Sequence, residues 1–133
     1  MSEQAQANPA PALAIFTFGH KHGMPEQADL LFDARILPNP YWLEEMRHRK
    51  GTEPEVAAYV LDNPAGRRFL ELLLPLVRFI IEQAGQSGRE SITIAIGCTG
   101  GCHRSVAVAE ALAAALAPIA PRLTLSHRDL DKP

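Results

Sequence analysis

A chain of 133 residues holds one core rather than two domains, and its 47% hydrophobic content supports that core. A formal net charge of −2 excludes a global basic field, so any contact with nucleic acid must come from a local patch. No apolar run reaches membrane-spanning length without polar interruption, the N-terminus does not read as a signal peptide, and the two cysteines share one glycine loop rather than forming a disulfide framework. A cytoplasmic protein is expected.

Residues 1–12, rich in Ala, Gln and Pro, read as a disordered leader ahead of a single domain over 13–133. Leu13 to Phe18 is a short apolar run ending at Gly19, which predicts a buried strand, and GHKHGMP follows as a polar loop at its carboxyl end. Leu30 to Ala34 predicts a second strand that delivers Asp33 and Arg35 to a loop where Pro38 and Pro40 forbid regular structure. Tyr41 to Met46 reads as a short helical turn and RHRKGTEP as an exposed basic loop; Pro54 then opens a helix carrying Val56, Tyr59 and Val60. Gly66 to Gln83 is the longest predicted helix, apolar over much of its girth, expected to pack on the sheet and to kink at Pro75.

From Ser91 the pattern changes to a buried strand, with Ile92, Ile94 and Ile96 on one face and the small Thr93 and Ala95 on the other. A glycine loop, Gly97 to Arg104, leads directly into a helix marked by Val108, Leu112, Ala115 and Leu116. Pro118 and Pro121 make a turn, and Arg122 to Ser126 offers a last short strand. This order predicts an α/β fold: a small, mainly parallel sheet with helices on its faces and a phosphate-binding loop between the central strand and a helix. Ligands of such sheets sit at the carboxyl ends of strands, so the loops around His20, Asp33 and Cys98 to Arg104 should meet on one edge.

The glycine loop carries the chemistry. Its three glycines permit positive φ, the backbone N–H groups form a concavity, and the positive end of the following helix points into it, as anion sites require. Thr99, Gly100, Gly101 and Ser105 would offer main-chain donors, Arg104 a planar fork for two phosphate oxygens, and His103 a further donor, with Lys21 and His22 as additional phosphate contacts. An enzyme reading competes: Cys98-x5-Arg104-Ser105 with Gly101 between fits the cysteine phosphatase pattern C-x-x-G-x-x-R-[ST], with Cys98 as nucleophile, Arg104 as oxyanion clamp and Asp33 or Asp62 as acid. Gly97 stands where those phosphatases usually carry His, and a small buried residue at a strand end is the plainer account of Cys98. The balance favours a binder. His20 and His22 lack a third metal ligand, Cys98-x3-Cys102-His103 is a weaker zinc element still, and Arg47, His48, Arg49 and Lys50 read as a solvated loop before they read as an RNA contact. No cofactor is called for.

FGHKHGMPEQADLLFDARILPNPYW, the long helix with its Leu-Pro step, IAIGCTGGCHRSV and SHRDLDK together resemble the C-terminal domain of the RNase adapter protein RapZ family, over roughly residues 13 to 133. The resemblance implies a domain that binds glucosamine-6-phosphate and, in some members, a small RNA regulating amino-sugar synthesis. Carried over by position, Thr99, Gly100, His103 and Arg104 would belong to the phosphate pocket, with Asp33 and Arg35 on the opposite wall and Tyr41 on the sugar side. The sequence departs from the family pattern at His20, where relatives commonly have Phe, at Tyr41, where they have His, and at Cys102, where they have Lys. It also lacks the kinase-like half, so it reads as a free-standing sensor half acting through a protein or RNA partner, with a homo-oligomer left open.

Overall fold

The computed structural model describes residues 10–133; the first nine residues of the expected leader lie outside the described residues. Four strands, β1 (Ala12–Gly19), β2 (Leu30–Asp33), β3 (Ser91–Cys98) and β4 (Leu123–His127), form one sheet in the order β2-β3-β1-β4, and every pair is parallel. Three helices, α1 (Pro54–Leu61), α2 (Pro64–Gln86) and α3 (Arg104–Leu116), accompany it, with single 3-10 turns at His20–His22, Pro40–Trp42 and Ala117–Ile119. The α/β class and the parallel sheet are as expected. No helix among the described residues is long and apolar enough to cross a membrane.

The two central strands are the two apolar ones. Leu13 and Ile15 of β1 lie level with Ile92 and Ile94 of β3, and all four are buried. Covered on both faces, β1 and β3 carry near-continuous hydrophobic sequence, as inner strands of parallel sheets do. Helix α3 packs against β1, β3 and β4 and also against α1 and α2, which makes it the innermost helix. Its alanines let it approach closely: Ala107, Ala109 and Ala113 are buried beside Val106, Val108, Leu112 and Leu116.

Helix α2 joins the same core through Leu73, Val77, Ile81 and Ala84, spaced so that they share one stripe. Its burial is narrower than its composition suggested, since Leu72, Leu76 and Phe79 remain exposed. The helix starts two residues before the expected position because Asn63 caps it: Asn63 Oδ1 accepts the Gly66 N–H at 2.8 Å, and Pro64 fills the first helical position, where a missing N–H costs nothing. At the other end of the sheet, Pro11 is buried and Ala12 N donates to the Glu90 carbonyl at 2.9 Å, so order begins slightly ahead of Leu13.

Strand order fixes where a ligand could go. The chain leaves β1 toward β2 and leaves β3 toward β4, in opposite directions along the sheet, so the neighbouring carboxyl ends of β1 and β3 mark the change in strand order. Gly19 lies level with Cys98 there, and Asp33 lies level with Gly97 on the other side of β3.

Candidate functional site

At the end of β3 the chain turns through Thr99 to His103 and enters α3 at Arg104. The turn is held by close backbone contact. A Cβ on Gly19 would lie 2.4 Å from the Gly100 carbonyl carbon and oxygen, and one on Gly97 would lie 2.4 Å from the Phe18 ring. Gly101 alone in the loop has a left-handed backbone, with φ of 81°. The expectation that all three glycines supply positive φ is corrected accordingly: Gly97 is needed for the Phe18 ring, Gly101 for its conformation, and Gly100 for neither. A Cβ on Gly100 would find only Lys21 Cε, 3.9 Å away, so its outer side faces open space.

The loops after β1 and β2 come to this turn. Lys21 N donates to the Thr99 carbonyl at 3.1 Å, which lays the His20–His22 turn beside the loop. Arg104, on the first turn of α3, reaches across to the segment after β2, where its Nη1 donates to the carbonyls of Arg35 at 2.7 Å and Leu37 at 3.3 Å. Half of the fork expected to grip phosphate is therefore committed to the protein backbone. The other edge is turned to the loop: Nη2 lies 3.3 Å from Thr99 Oγ1, and Nε is buried without a partner among the described residues. That Nε and Nη2 edge is the one with which Arg35 clasps Asp33 in this same protein, at 3.0 and 2.7 Å.

Electrostatically the turn gathers positive and polar groups. Helix α3 receives no side-chain cap from His103 and has no acidic residue in its first turn, so its leading N–H groups and positive end are not answered from within the helix. His103, only 9% exposed, has its Nε2 buried without a partner among the described residues, and burial pushes its pKa down despite the backbone groups of Arg49 and Arg47 beside the ring. Arg104, 6% exposed, is also shifted down by burial, with Cys98 and Asp33 acting in the opposite sense. His20 packs its ring 4.9 Å from that of Phe18 and sits within the field of Arg35 and Asp33; its Nε2 and that of His22 are buried and also lack partners among the described residues. The Arg104 Nε–H calls for an acceptor and each imidazole Nε2 for a donor or an acceptor according to its tautomer, and buried groups of this kind are costly when left unpaired.

The remaining expected residues fall into three groups. Asp33 and Arg35 form a bidentate pair on the far side of Arg104, and the Arg35 guanidinium brings the Asp33 carboxyl down to about 2. An acid of that strength is ionised at neutral pH, so Asp33 is placed to accept hydrogen bonds rather than to donate a proton. Cys98 is 3% exposed and its Sγ lies 3.1 Å from Ser105 Oγ, beneath the turn, while Asp62 pairs with Arg67 at the corner between α1 and α2. Tyr41 lies on the exposed turn at Pro40–Trp42, stacked by Arg47 at 4.9 Å and edge-on to Trp42. In the basic run, Arg49 pairs with Glu53 and Glu55 and Lys50 with Asp131, which neutralises half of it within the chain. Among the described residues no cluster of three or more His, Cys, Asp or Glu side chains could hold a metal.

Sequence reasoning passed over Asp129. Its carboxylate is fully buried, accepts the Gly19 N–H at 2.7 Å, and pairs with Arg128 and Lys132, each at 2.7 Å. Burial alone would raise its pKa; the Arg128, Gly19 and Lys132 hydrogen bonds together outweigh that and hold it well below the usual carboxylate range. A Cβ on Gly101 would lie 3.0 Å from Asp129 Cβ, and Cys102 Sγ faces the Asp129 and Leu130 carbonyls. Asp129 thus fastens the end of β1 to the glycine turn. The available signal was an acid directly after Arg128 and three residues before Lys132, just past the last strand.

Residues 11–131 match the family described as the RapZ C-terminal domain. Curated relatives described as nucleotide-binding proteins include one from Myxococcus xanthus, 44% identical over 97% of this chain and 46% of its own length. One from Frankia alni is 45% identical over 89% of this chain and 41% of its own, and one from Nitratidesulfovibrio vulgaris is 48% identical over 88% and 40%. The chain spans about half the length, or somewhat less, of these relatives.

Proposed function

Since the chain belongs to the RapZ C-terminal domain family, we propose that it is a binding module for a phosphorylated metabolite, specifically an amino-sugar phosphate such as glucosamine-6-phosphate, which acts through a protein or RNA partner. The observation that carries the reading is the pair His103 Nε2 and Arg104 Nε, both buried and unpartnered at the uncapped start of α3. A phosphate at the turn would accept from the leading N–H groups of α3 and from the Arg104 Nε and Nη2 edge, with Lys21 over Gly100 as a further cation. Asp33, ionised and half exposed, would take the ammonium or a hydroxyl of the sugar on the opposite wall. The relatives' description as nucleotide-binding proteins supports the phosphorylated class of ligand, without choosing the sugar.

Charge-assisted hydrogen bonds contribute roughly 1.5–3 kcal/mol each before ordering costs, so three or four account for micromolar binding. Calorimetric titration with glucosamine-6-phosphate, glucose-6-phosphate, glucosamine and inorganic phosphate tests the parts separately. The phosphate should be indispensable and the amine should add affinity; Arg104→Ala should abolish the heat. No heat with any phosphorylated ligand at millimolar concentration overturns the reading, and equal affinity for both sugar phosphates overturns an ammonium contact at Asp33 and with it the choice of an amino sugar.

A further inference from the structure

His103 stands between the glycine turn and the basic loop, and its surroundings decide which ring nitrogen carries the proton. Gly51 N donates to the Cys102 carbonyl at 2.8 Å, and a Cβ on Gly51 would lie 2.2 Å from the His103 carbonyl oxygen, so the loop closes tightly over the backbone at the start of α3. The backbone groups of Arg47 and Arg49 in that loop favour the protonated ring, as acceptor carbonyls do. Nε2 is buried and has no partner among the described residues, so these carbonyls face Nδ1. The neutral ring therefore holds its one proton on Nδ1 and leaves a lone pair on Nε2.

That lone pair is at odds with the ligand. A phosphate dianion offers only acceptors, so the ring can face it only with a second proton, on Nε2. The fold does little to hold such a proton. Of the charged groups acting on the ring, Arg104 on α3 and His48 in the loop oppose a further positive charge, and no carboxylate among the described residues acts on it. Arg49 and Lys50 beside it are occupied by Glu53, Glu55 and Asp131, while the acids at the strand ends, Asp33 and Asp129, are occupied by Arg35 and by Arg128 and Lys132. Burial acts in the same direction, so the ring of the unliganded chain is neutral from about pH 7 upward.

We propose, on the footing of the binding function above, that the site takes up its phosphate and a proton together: the dianion supplies the countercharge that the fold withholds, and His103 becomes an imidazolium that donates from Nε2 to a phosphate oxygen while Nδ1 keeps its carbonyls. The proton is drawn from the solvent, and no covalent bond other than the new N–H forms or breaks. The resulting hydrogen bond is charge-assisted. Its sign is fixed: a ring whose pKa the ligand raises favours binding below the raised value, and affinity is lost as pH climbs through it. A site built on Arg104 and Lys21 alone would bind equally well across about pH 7 to 8.5, because both stay charged there and the second ionisation of a phosphate monoester, at about pH 6, is complete.

The test is calorimetric titration of the full chain with glucose-6-phosphate, which has no amine of its own to titrate, at about pH 7.5 in three buffers of different ionisation enthalpy. The dependence of the heat on the buffer should correspond to uptake of about one proton, and Kd should rise up to about tenfold per pH unit above about pH 7. His103→Gln, which sets a neutral N–H near the place of Nε2, should bind without proton uptake and with little dependence on pH. With glucosamine-6-phosphate, whose amine also titrates, the wild type should take up about one proton more than His103→Gln. Nitrogen-15 NMR of the wild-type ring gives a readout independent of the variant: protonation at Nδ1 alone without ligand, and at both nitrogens with it. Heat without proton uptake, uptake that His103→Gln retains, or a ring that stays neutral in the complex would each overturn this inference and leave the binding function standing. No heat with either sugar phosphate at millimolar concentration would overturn both.

Discussion

Three glycines near the site separate backbone conformation, packing and ligand access, and alanine at each gives a graded result. Gly101 combines a φ of 81° with crowding: a Cβ there would meet Gly19 N at 2.7 Å and Asp129 Cβ at 3.0 Å. The left-handed backbone costs an alanine roughly 1–2 kcal/mol, and pushing the end of β1 aside adds about 1–3 kcal/mol, so Gly101→Ala should lose about 2–5 kcal/mol. Gly23 has φ of 97° and ψ of 144°, which glycine alone adopts readily, but nothing within 4 Å of where a Cβ would stand, so Gly23→Ala should lose only the conformational part, about 1–3 kcal/mol. Gly100 lacks positive φ and has 3.9 Å to its nearest neighbour, so Gly100→Ala should be neutral or gain up to about 1 kcal/mol through the unfolded chain. That methyl nevertheless enters the space proposed for phosphate, and should weaken glucosamine-6-phosphate binding by about tenfold or more. Urea unfolding followed by circular dichroism, with calorimetric titration of each variant, measures both quantities. Gly101→Ala as mild as Gly23→Ala, or Gly100→Ala as unstable as Gly101→Ala, would refute the packing argument; intact binding in Gly100→Ala would refute the placement of the ligand.

Asp129→Ala should cost about 1–3 kcal/mol in urea unfolding, because it leaves the buried Gly19 N–H without its acceptor and takes the carboxylate from Arg128 and Lys132, which are open enough to be solvated; a loss below about 0.5 kcal/mol would show that water replaces the carboxylate. Stability should fall with acid in two stages. His20 and His103 have lowered pKa values in the folded chain, so below about pH 6.5 the unfolded chain takes up protons that the native one refuses. Below about pH 4 the depressed Asp129 adds to the loss, joined by a smaller, solvent-screened part from Asp33 as pH nears 2. A urea midpoint flat from pH 7 to 4 would contradict the histidine part. Cys98→Ser should leave ligand affinity within about twofold, since the thiol lies beneath the turn against Ser105; a phosphomonoesterase activity that the substitution removes would return the cysteine to a catalytic role.

Periodicity was a sufficient guide to the inner sheet. Ile92, Ile94 and Ile96 alternate with small residues, and β3 is central and buried on both faces as that pattern requires. The glycine turn was legible as a turn, but not the division of work among its glycines, since a requirement for φ and a requirement for space look alike in a sequence. Arg104 was legible as a site residue while its tie to the Arg35 and Leu37 carbonyls was not, because backbone acceptors leave no mark on residue type. Asp129 escaped for a related reason: its partners are a backbone amide from residue 19 and two neighbouring cations that make it resemble a solvated charge run. The composition of α2 indicated broad burial, whereas the buried stripe is one helical face and the apolar surplus points outward.

The sheet order has a consequence for how the chain acquires its structure. Leu13 of β1 pairs with Ile92 on one side and Leu123 on the other, so the first strand depends entirely on the last two for its partners. During synthesis at about 5–20 residues per second, β1 would wait on the order of ten seconds for β4 to be made. Pairings this distant in sequence make for slow nucleation, because loop closure must be met before any ladder forms. Until β3 arrives, Ile15 lacks the strand neighbour it pairs with, and the apolar face of β1 stays open through most of the domain's translation.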